Sequence, residues 1–449
     1  MSAIADLRPL AQRREQRAWY WYDWANSAFV TSVQTVLFAP YLISVAEDAD
    51  PIRLFGGAVA PGALPSFVVT ASTILSALLL PLVGAIADRT THKRRLLAGF
   101  AWAGAAAGAL LFFAVDGNWQ VGAVSMVIAN ICLGASGTVN DAFLPLIADE
   151  ADRDRVSSRG WAFGYLGGGL LLAITLAVVL LHDTFGLTEE MAVRLSMLAA
   201  AVWWAAFTVV PLLGLQDHPP VHLVPSGSTD GDTSSGFGGL VRASFGQLWA
   251  TLKDLRNYPM ALTFLLAYLF FNDGIQTVIY AASTYGEKQL GFGTSVLIGT
   301  ILLVQFVAFF GALLFGRLAA RVGAKRVILG GLVVWMLIVT VALFLPEKAL
   351  VPFLAMGVAI GIVLGGTQAL ARSYFSLLIP RGREGEFFSF YHAMDRGTSW
   401  FGTLTFGLVY QITDSYRPAI FALIAFFVIG GALLLRVDTA RGMREAGNS

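Results

Sequence analysis

Runs of twenty or more residues almost free of charge recur along the whole chain, and no other feature restricts its fold as tightly. A lipid core about 30 Å thick needs roughly 20 apolar residues per helix. Twelve stretches qualify: 19–43, 66–87, 94–114, 119–147, 159–182, 193–215, 258–284, 293–319, 325–346, 350–379, 386–412 and 416–437. Lipid offers no partner to a backbone N–H or C=O, so runs of this length are expected as helices. The chain is 56% hydrophobic and 13% charged, with a mean hydropathy of +0.69, which excludes an ordinary soluble domain. The runs reach the far end of the chain, so the first is not read as a signal peptide. The single cysteine, Cys132, lies in an apolar run and leaves no internal disulfide.

Between the sixth and seventh runs stands "LQDHPPVHLVPSGSTDGDTSSGFGGL", rich in Gly, Ser, Pro and Asp. That composition cannot bury a core and reads as a flexible linker. The following "LVRASFGQLWATLKDLRN" has the pattern of an amphipathic surface helix. The expected organisation is an N-terminal tail 1–18, a six-helix bundle 19–215, a linker 216–257, a second six-helix bundle 258–437 and a tail 438–449. With both termini inside, inner segments hold 23 of the 30 Lys and Arg. Outer loops hold only Arg53, Arg194, Lys288, Lys348 and Arg417. The positive-inside rule then places both termini in the cytoplasm of a multi-pass protein of the cell membrane.

The two halves repeat. "GAIADRTTHKRR" (84–95) and "GRLAARVGAKRV" (316–327) are 232 positions apart. "ICLGASGTVNDAFLPLI" (131–147) and "IVLGGTQALARSYFSLL" (362–378) are 231 apart. "NSAF" at 26–29 answers "NDGI" at 272–275 more weakly, at 246, and "PIRLFGGAVAPGALP" in the first outer loop explains the longer offset. Two repeated helix sets around a midplane site are a transporter architecture.

Gly84, Asp88, Arg89 and Lys93 resemble the loop signature of the major facilitator superfamily, with Thr91 where a glycine is usual. The second copy keeps Gly316, Arg321, Gly323 and Lys325 but has Ala320 at the acidic position. "YDWANSAF", Arg159–Gly169, "FNDGIQT" and "GGTQALARS" narrow the resemblance to the vacuole-effluxer-like branch, over essentially all of residues 19–437. The resemblance implies twelve helices in two pseudosymmetric bundles and secondary transport. Fungal members are associated with amino-acid efflux from the vacuole. It also implies that spans one, four, seven and ten line a central cavity, and that Gly84, Asp88, Arg89 and Lys93 act in conformational change.

Polar side chains follow helical faces in those four spans. Asp23, Ser27, Thr31 and Gln34 are spaced by four, four and three, with Asn26 beside them. Span seven carries Asn272, Asp273, Gln276, Thr277 and Tyr280; spans four and ten carry Asn130, Ser136, Asn140, Thr367 and Gln368. Asn26, Ser27, Thr31, Gln34, Asn140, Asn272, Asp273, Gln276, Tyr280 and Gln368 are the expected cavity residues. Small polar groups also bond neighbouring helices without any further role. Charges are costlier, roughly 2.5–3.5 kcal/mol at a helix centre, and should face water or a partner. Asp273 lies roughly 22 Å into its span at 1.5 Å per residue, and Asp23 roughly 6 Å. Asp273, then Asp23, are the expected proton-coupling acids. Asp141, Arg372, Asp395 and Arg396 are nearer the cytoplasmic ends and are expected to form a gate. The offset of 231 pairs Asp141 with Arg372.

His392, three residues before Asp395, is a candidate relay or a hydrogen-bonded filler. "GYLGGG" (164–169) follows no strand and reads as helix packing, not a phosphate loop. No Walker loop and no metal-ligand spacing is present, and no cofactor or nucleic acid is expected. The expectation is a monomeric secondary active transporter for a small polar solute, amino acids among the candidates, with protons as coupling ion. A membrane-embedded enzyme, channel or sensor on a similar fold is the alternative.

Overall fold

The computed structural model describes residues 2–49, 52–54, 57–218, 253, 255–397 and 400–448. Most of the expected linker 216–257, and most of the amphipathic segment within it, lies outside the described residues. Among those described, eleven helices are long and apolar enough to cross a membrane. They are α1 (Leu10–Glu47), α2 (Pro61–Arg89), α3 (Lys93–Phe113), α4 (Trp119–Ile147), α5 (Glu150–Leu180), α6 (Glu189–Gly214), α7 (Pro259–Ala282), α8 (Val296–Val322), α9 (Ala324–Ala342), α10 (Leu350–Leu377) and, after two shorter helices, α13 (Tyr416–Arg436). The expected span 386–412 corresponds to those shorter helices, α11 (Glu384–Gly397) and α12 (Trp400–Thr413), with 398–399 outside the description. A last helix, α14 (Thr439–Glu445), is capped by Asp438, whose side chain accepts from the Arg441 amide. That amide holds the Asp438 carboxyl below the usual carboxylate range.

Proline sets several of the irregularities. α1 is π-helical over Val30–Leu37, just ahead of Pro40, which has no N–H to give the preceding turn. In α4 the regular helix stops at Asp141, and Leu144–Ile147 adds a separate turn. Pro145 would press its ring on the carbonyl four residues back, that of Asp141. Between α8 and α9 the chain turns at Gly323 with φ +89, which favours glycine. Thr91, at the equivalent place in the first copy, is not among the positive-φ residues, so that loop turns differently.

The described chain divides into two compact units. One takes in the described parts of Met1–Leu80, Thr91–Asn140 and Phe163–His218. Within it α1 approaches α5 closely. A Cβ on Gly164 would lie 2.6 Å from Ser27 Oγ, one on Gly167 2.7 Å from the Trp24 carbonyl, and one on Gly168 3.0 Å from the Ser27 carbonyl. The glycine run therefore lets two backbones meet. Trp24 stacks on Trp203 at 5.6 Å, and Trp21 stacks on Phe207 at 5.4 Å.

The other unit takes in the described parts of Pro81–Thr90, Asp141–Ala162 and Pro219–Ser449. It holds the end of α2, the end of α4 and the start of α5, together with the described part of the C-terminal half. Its interior is built on small residues too. A Cβ on Gly361 would lie 2.9 Å from the Val304 carbonyl, so α8 and α10 touch backbone to backbone. Trp335 stacks on Phe427 at 5.7 Å to close the α9–α13 side.

Candidate functional site

Asp141 and Arg372 form the centre of the second unit's polar interior. Arg372 Nη1 donates to Asp141 Oδ1 at 3.0 Å, with both side chains about 5% exposed or less. His392 Nε2 lies 3.0 Å from Asp141 Oδ2, so the carboxylate is held at both oxygens. Arg372 also donates through Nε to Ser157 Oγ at 3.0 Å and through Nη2 to the Ser157 carbonyl at 3.1 Å. Its guanidinium lies over the Trp161 ring at 5.4 Å. A buried guanidinium needs this many acceptors, because each unsatisfied N–H would carry its full desolvation cost.

The Arg372–Ser157 bonds are one rung of a ladder between the first turns of α5 and the end of α10, and Asp141 of α4 joins it through Arg372. Ser157 Oγ donates to the Ala369 carbonyl at 2.7 Å, Ser373 Oγ to Asp154 Oδ1 at 2.6 Å, and Arg153 Nη1 to the Ser376 carbonyl at 2.8 Å. A second contact joins α2 to α11. Asp88 Oδ1 accepts from the Gly385 amide and Oδ2 from the Glu386 amide, each at 2.8 Å. These amides belong to the first turn of α11, where backbone N–H groups lack helical partners and the helix dipole favours a negative charge. Gly84 makes room for it: a Cβ there would lie 2.7 Å from the Gly385 carbonyl carbon and 2.8 Å from Ser389 Cβ. In the other repeat a Cβ on Gly316 would lie 2.6 Å from Ser158 Cβ. Lys93 of the loop signature is buried and Arg89 half-buried.

A separate polar chain crosses α10, α7 and α11. Gln368 Nε2 donates to Asn272 Oδ1 at 2.7 Å, and Asn272 Nδ2 donates to Asp395 Oδ1 at 2.6 Å. Tyr268 Oη donates to the same oxygen at 3.0 Å and stacks on Tyr391 at 4.1 Å. Asp395, expected beside Asp141 and Arg372, thus takes part in this group. The side chain of Arg396 lies outside the described residues. Asp273 is 1% exposed, and its Oδ2 accepts from the Gly402 amide of α12 at 2.8 Å. Gln276 is half-buried, whereas Tyr280 is 67% exposed. In the first unit Asp23 and Thr31 are buried and Asn26, Ser27 and Gln34 half-buried, with Ser27 Oγ donating to Asn26 Oδ1 at 3.3 Å. Asn140 is buried, and its carbonyl accepts from Trp19 Nε1 at 2.8 Å.

A family profile described as "Vacuole effluxer Atg22 like" matches residues 11–447. The chain belongs to this family. This Atg22-like protein is 31% identical over 423 residues to the uncharacterized MFS-type transporter YxiO of Bacillus subtilis, covering 94% of each chain. It is 25% identical over 481 residues to autophagy-related protein 22-1 of Neosartorya fischeri, covering 88% of this chain and 78% of the relative. The human organic anion transporter MFSD10 shares its fold with a TM-score of 0.67 at 15% identity, over 94% of this chain and 99% of the other. The proton:xylose symporter XylE does so with a TM-score of 0.67 at 12% identity, over 95% of each. The Atg22-like protein is therefore a multi-pass transporter of the major facilitator fold, not an enzyme.

Ser157, Asp154 and Arg153 were hidden from a hydropathy reading of this Atg22-like chain. "EADRDRVSSRG" is polar, so span five is expected from 159, whereas α5 starts at Glu150. Glu150 and Asp152 in its first turn are the signal that marks the true start.

Proposed function

We propose that this Atg22-like transporter moves a small polar solute by alternating access, as a secondary active carrier coupled to protons. The ladder built on Asp141 and Arg372 supports that reading most directly. It joins segments from the two sequence repeats through charged and hydroxyl groups, which exchange partners with water far more readily than an apolar seam does. On the positive-inside reading this contact is the cytoplasmic gate of a cell-membrane protein whose termini are both cytoplasmic. Asp88 on the first turn of α11 is a second clasp of that gate.

Asp273 is the proposed coupling acid. It is buried where a gained or lost proton changes the charge of the α7–α12 contact, and Asp23 is the second candidate. Gln368, Asn272 and Gln276 offer amide groups to a polar solute, and amino acids are the class to examine first. Both repeats lie on one chain, which supports action as a monomer. Counterflow in proteoliposomes is the test. A carrier preloaded with unlabelled amino acid draws labelled amino acid in above equilibrium, and absence of overshoot across amino acids, sugars and organic anions overturns the carrier reading.

A further inference from the structure

Asp141 is held at both oxygens by groups that differ in one respect. Arg372 is charged at every physiological pH, whereas an imidazole changes charge between about pH 5 and 8. Both partners come from the C-terminal repeat and Asp141 from the N-terminal one. Among the described side chains, four elements bring charged groups to this region. Asp141 on α4 and Asp395, one turn beyond His392 on α11, supply two carboxylates. Arg372 on α10 supplies one guanidinium. Tyr391 packs edge-on against the His392 ring at 5.7 Å, and Tyr268 of α7 donates to Asp395. On α5, Asp154 is engaged with Ser373 and Arg153 with the Ser376 carbonyl. A proton on His392 makes its contact with Asp141 a second charge-assisted one, beside that of Arg372.

We propose that the His392–Asp141 contact makes the shut ladder a proton-binding site, so that closing this side of the protein takes up a proton and opening it returns the proton. The inference rests on the alternating-access reading above. Linkage fixes the sign: if the shut form binds the proton more tightly, acid favours the shut form and alkali the open one. His392 acts here through Asp141, as a positioning residue for the gate. Neutral imidazole can still donate through Nε2, so alkali weakens the contact without abolishing it.

The test reads the ladder directly. Val156 is fully buried in the first turns of α5, between the Arg153 and Ser157 rungs. In a Cys132→Ala background and in nanodiscs, Val156→Cys is labelled with a hydrophilic maleimide across pH. Each rate is divided by that of Arg155→Cys, exposed on the same helix, which removes the thiol's own titration. The expected ratio rises at least about threefold from pH ~5.5 to pH ~8, across the imidazole range. His392→Gln, which keeps a donor but cannot titrate, should give a flat ratio. A flat ratio in the His392-bearing protein overturns the proposal, and so does an unchanged pH profile in His392→Gln. Counterflow by the same variants in proteoliposomes separates the two readings. A pH-dependent ratio without counterflow supports the proton site while the carrier reading fails. Intact counterflow with a flat ratio does the reverse.

Discussion

His392 stands 231 positions after Trp161, the same interval that separates Asp141 from Arg372, and each ring attends one member of that ion pair. The imidazole meets the carboxylate and the indole lies over the guanidinium. The repeat supplies equivalent places, and charge decides what fills them. A ring nitrogen suits an anion and an electron-rich face suits a planar cation. Repeat symmetry therefore builds a pair with two different reinforcements, an imidazole on the anion and an indole over the cation.

Neutralising Asp141 leaves a buried guanidinium short of its counter-ion. Removal of one partner from a buried pair costs about 3–5 kcal/mol, less where water enters. Asp141→Asn and Arg372→Gln should each raise maleimide labelling of Val156→Cys by tenfold or more, since about 1.4 kcal/mol is a factor of ten. The exchanged pair, Asp141→Arg with Arg372→Asp, should recover protection only in part, because His392 would then face a guanidinium. Its recovery should be better at pH ~8 than at pH ~6, where more imidazole is charged. Equal labelling in all forms would reduce the pair to static packing.

Gly84 and Gly385 meet backbone to backbone, and a methyl group at either has nowhere to go. A Cβ on Gly385 would lie 2.6 Å from the Gly84 carbonyl and 2.9 Å from Asp88 Oδ1. Gly385→Ala should push α2 from α11, weaken both Asp88 hydrogen bonds and slow transport, while expression stays normal. Asp88→Asn should act in the same direction, costing about 0.5–2 kcal/mol as helix-cap losses do, because its amide replaces an acceptor where an N–H points. Initial uptake rates in proteoliposomes decide it: rates of unaltered protein in both variants remove the clasp.

Asp273→Asn keeps an oxygen to accept from the Gly402 amide, so the α7–α12 contact should survive. The variant should retain exchange in counterflow and lose accumulation driven by a pH gradient. Accumulation that still follows the gradient would move the coupling role to Asp23. Accumulation in the unaltered protein that follows sodium and ignores pH would remove proton coupling altogether.

The α1–α5 glycines offer a test away from the Asp141–Arg372 ladder. Gly167→Leu forces a side chain onto the Trp24 carbonyl and indole, where a Cβ already lies 2.7 and 2.9 Å away. Overpacking costs roughly 1–3 kcal/mol. The variant should unfold at lower temperature in a thermal-shift assay, whereas Gly186→Ala, on a loop with open space around it, should be far milder despite its φ of +66. Equal melting of both would discount close helix approach at the glycine run.

Much of this architecture was legible along the chain because lipid enforces it. Apolar length marks eleven of the expected spans, and the twelfth coincides with α11 and α12. The offset of 231 put Asp141 and Arg372 at equivalent places, since repeat spacing survives folding. Partner choice was a different matter. Hydropathy is blind to polar turns, so α5's start at Glu150, with Arg153, Asp154 and Ser157 on it, was out of its reach. Sequence proximity set His392 beside Asp395, yet three-dimensional packing brings its Nε2 to Asp141, 251 positions away. Helical spacing put Asp273, Gln276 and Tyr280 on one wall. Packing of α12 instead buries Asp273 against the Gly402 amide and leaves Tyr280 exposed. Periodicity says which residues share a face of a helix. Which neighbour covers that face depends on how helices far apart in the chain pack, and that is settled only when the chain has folded.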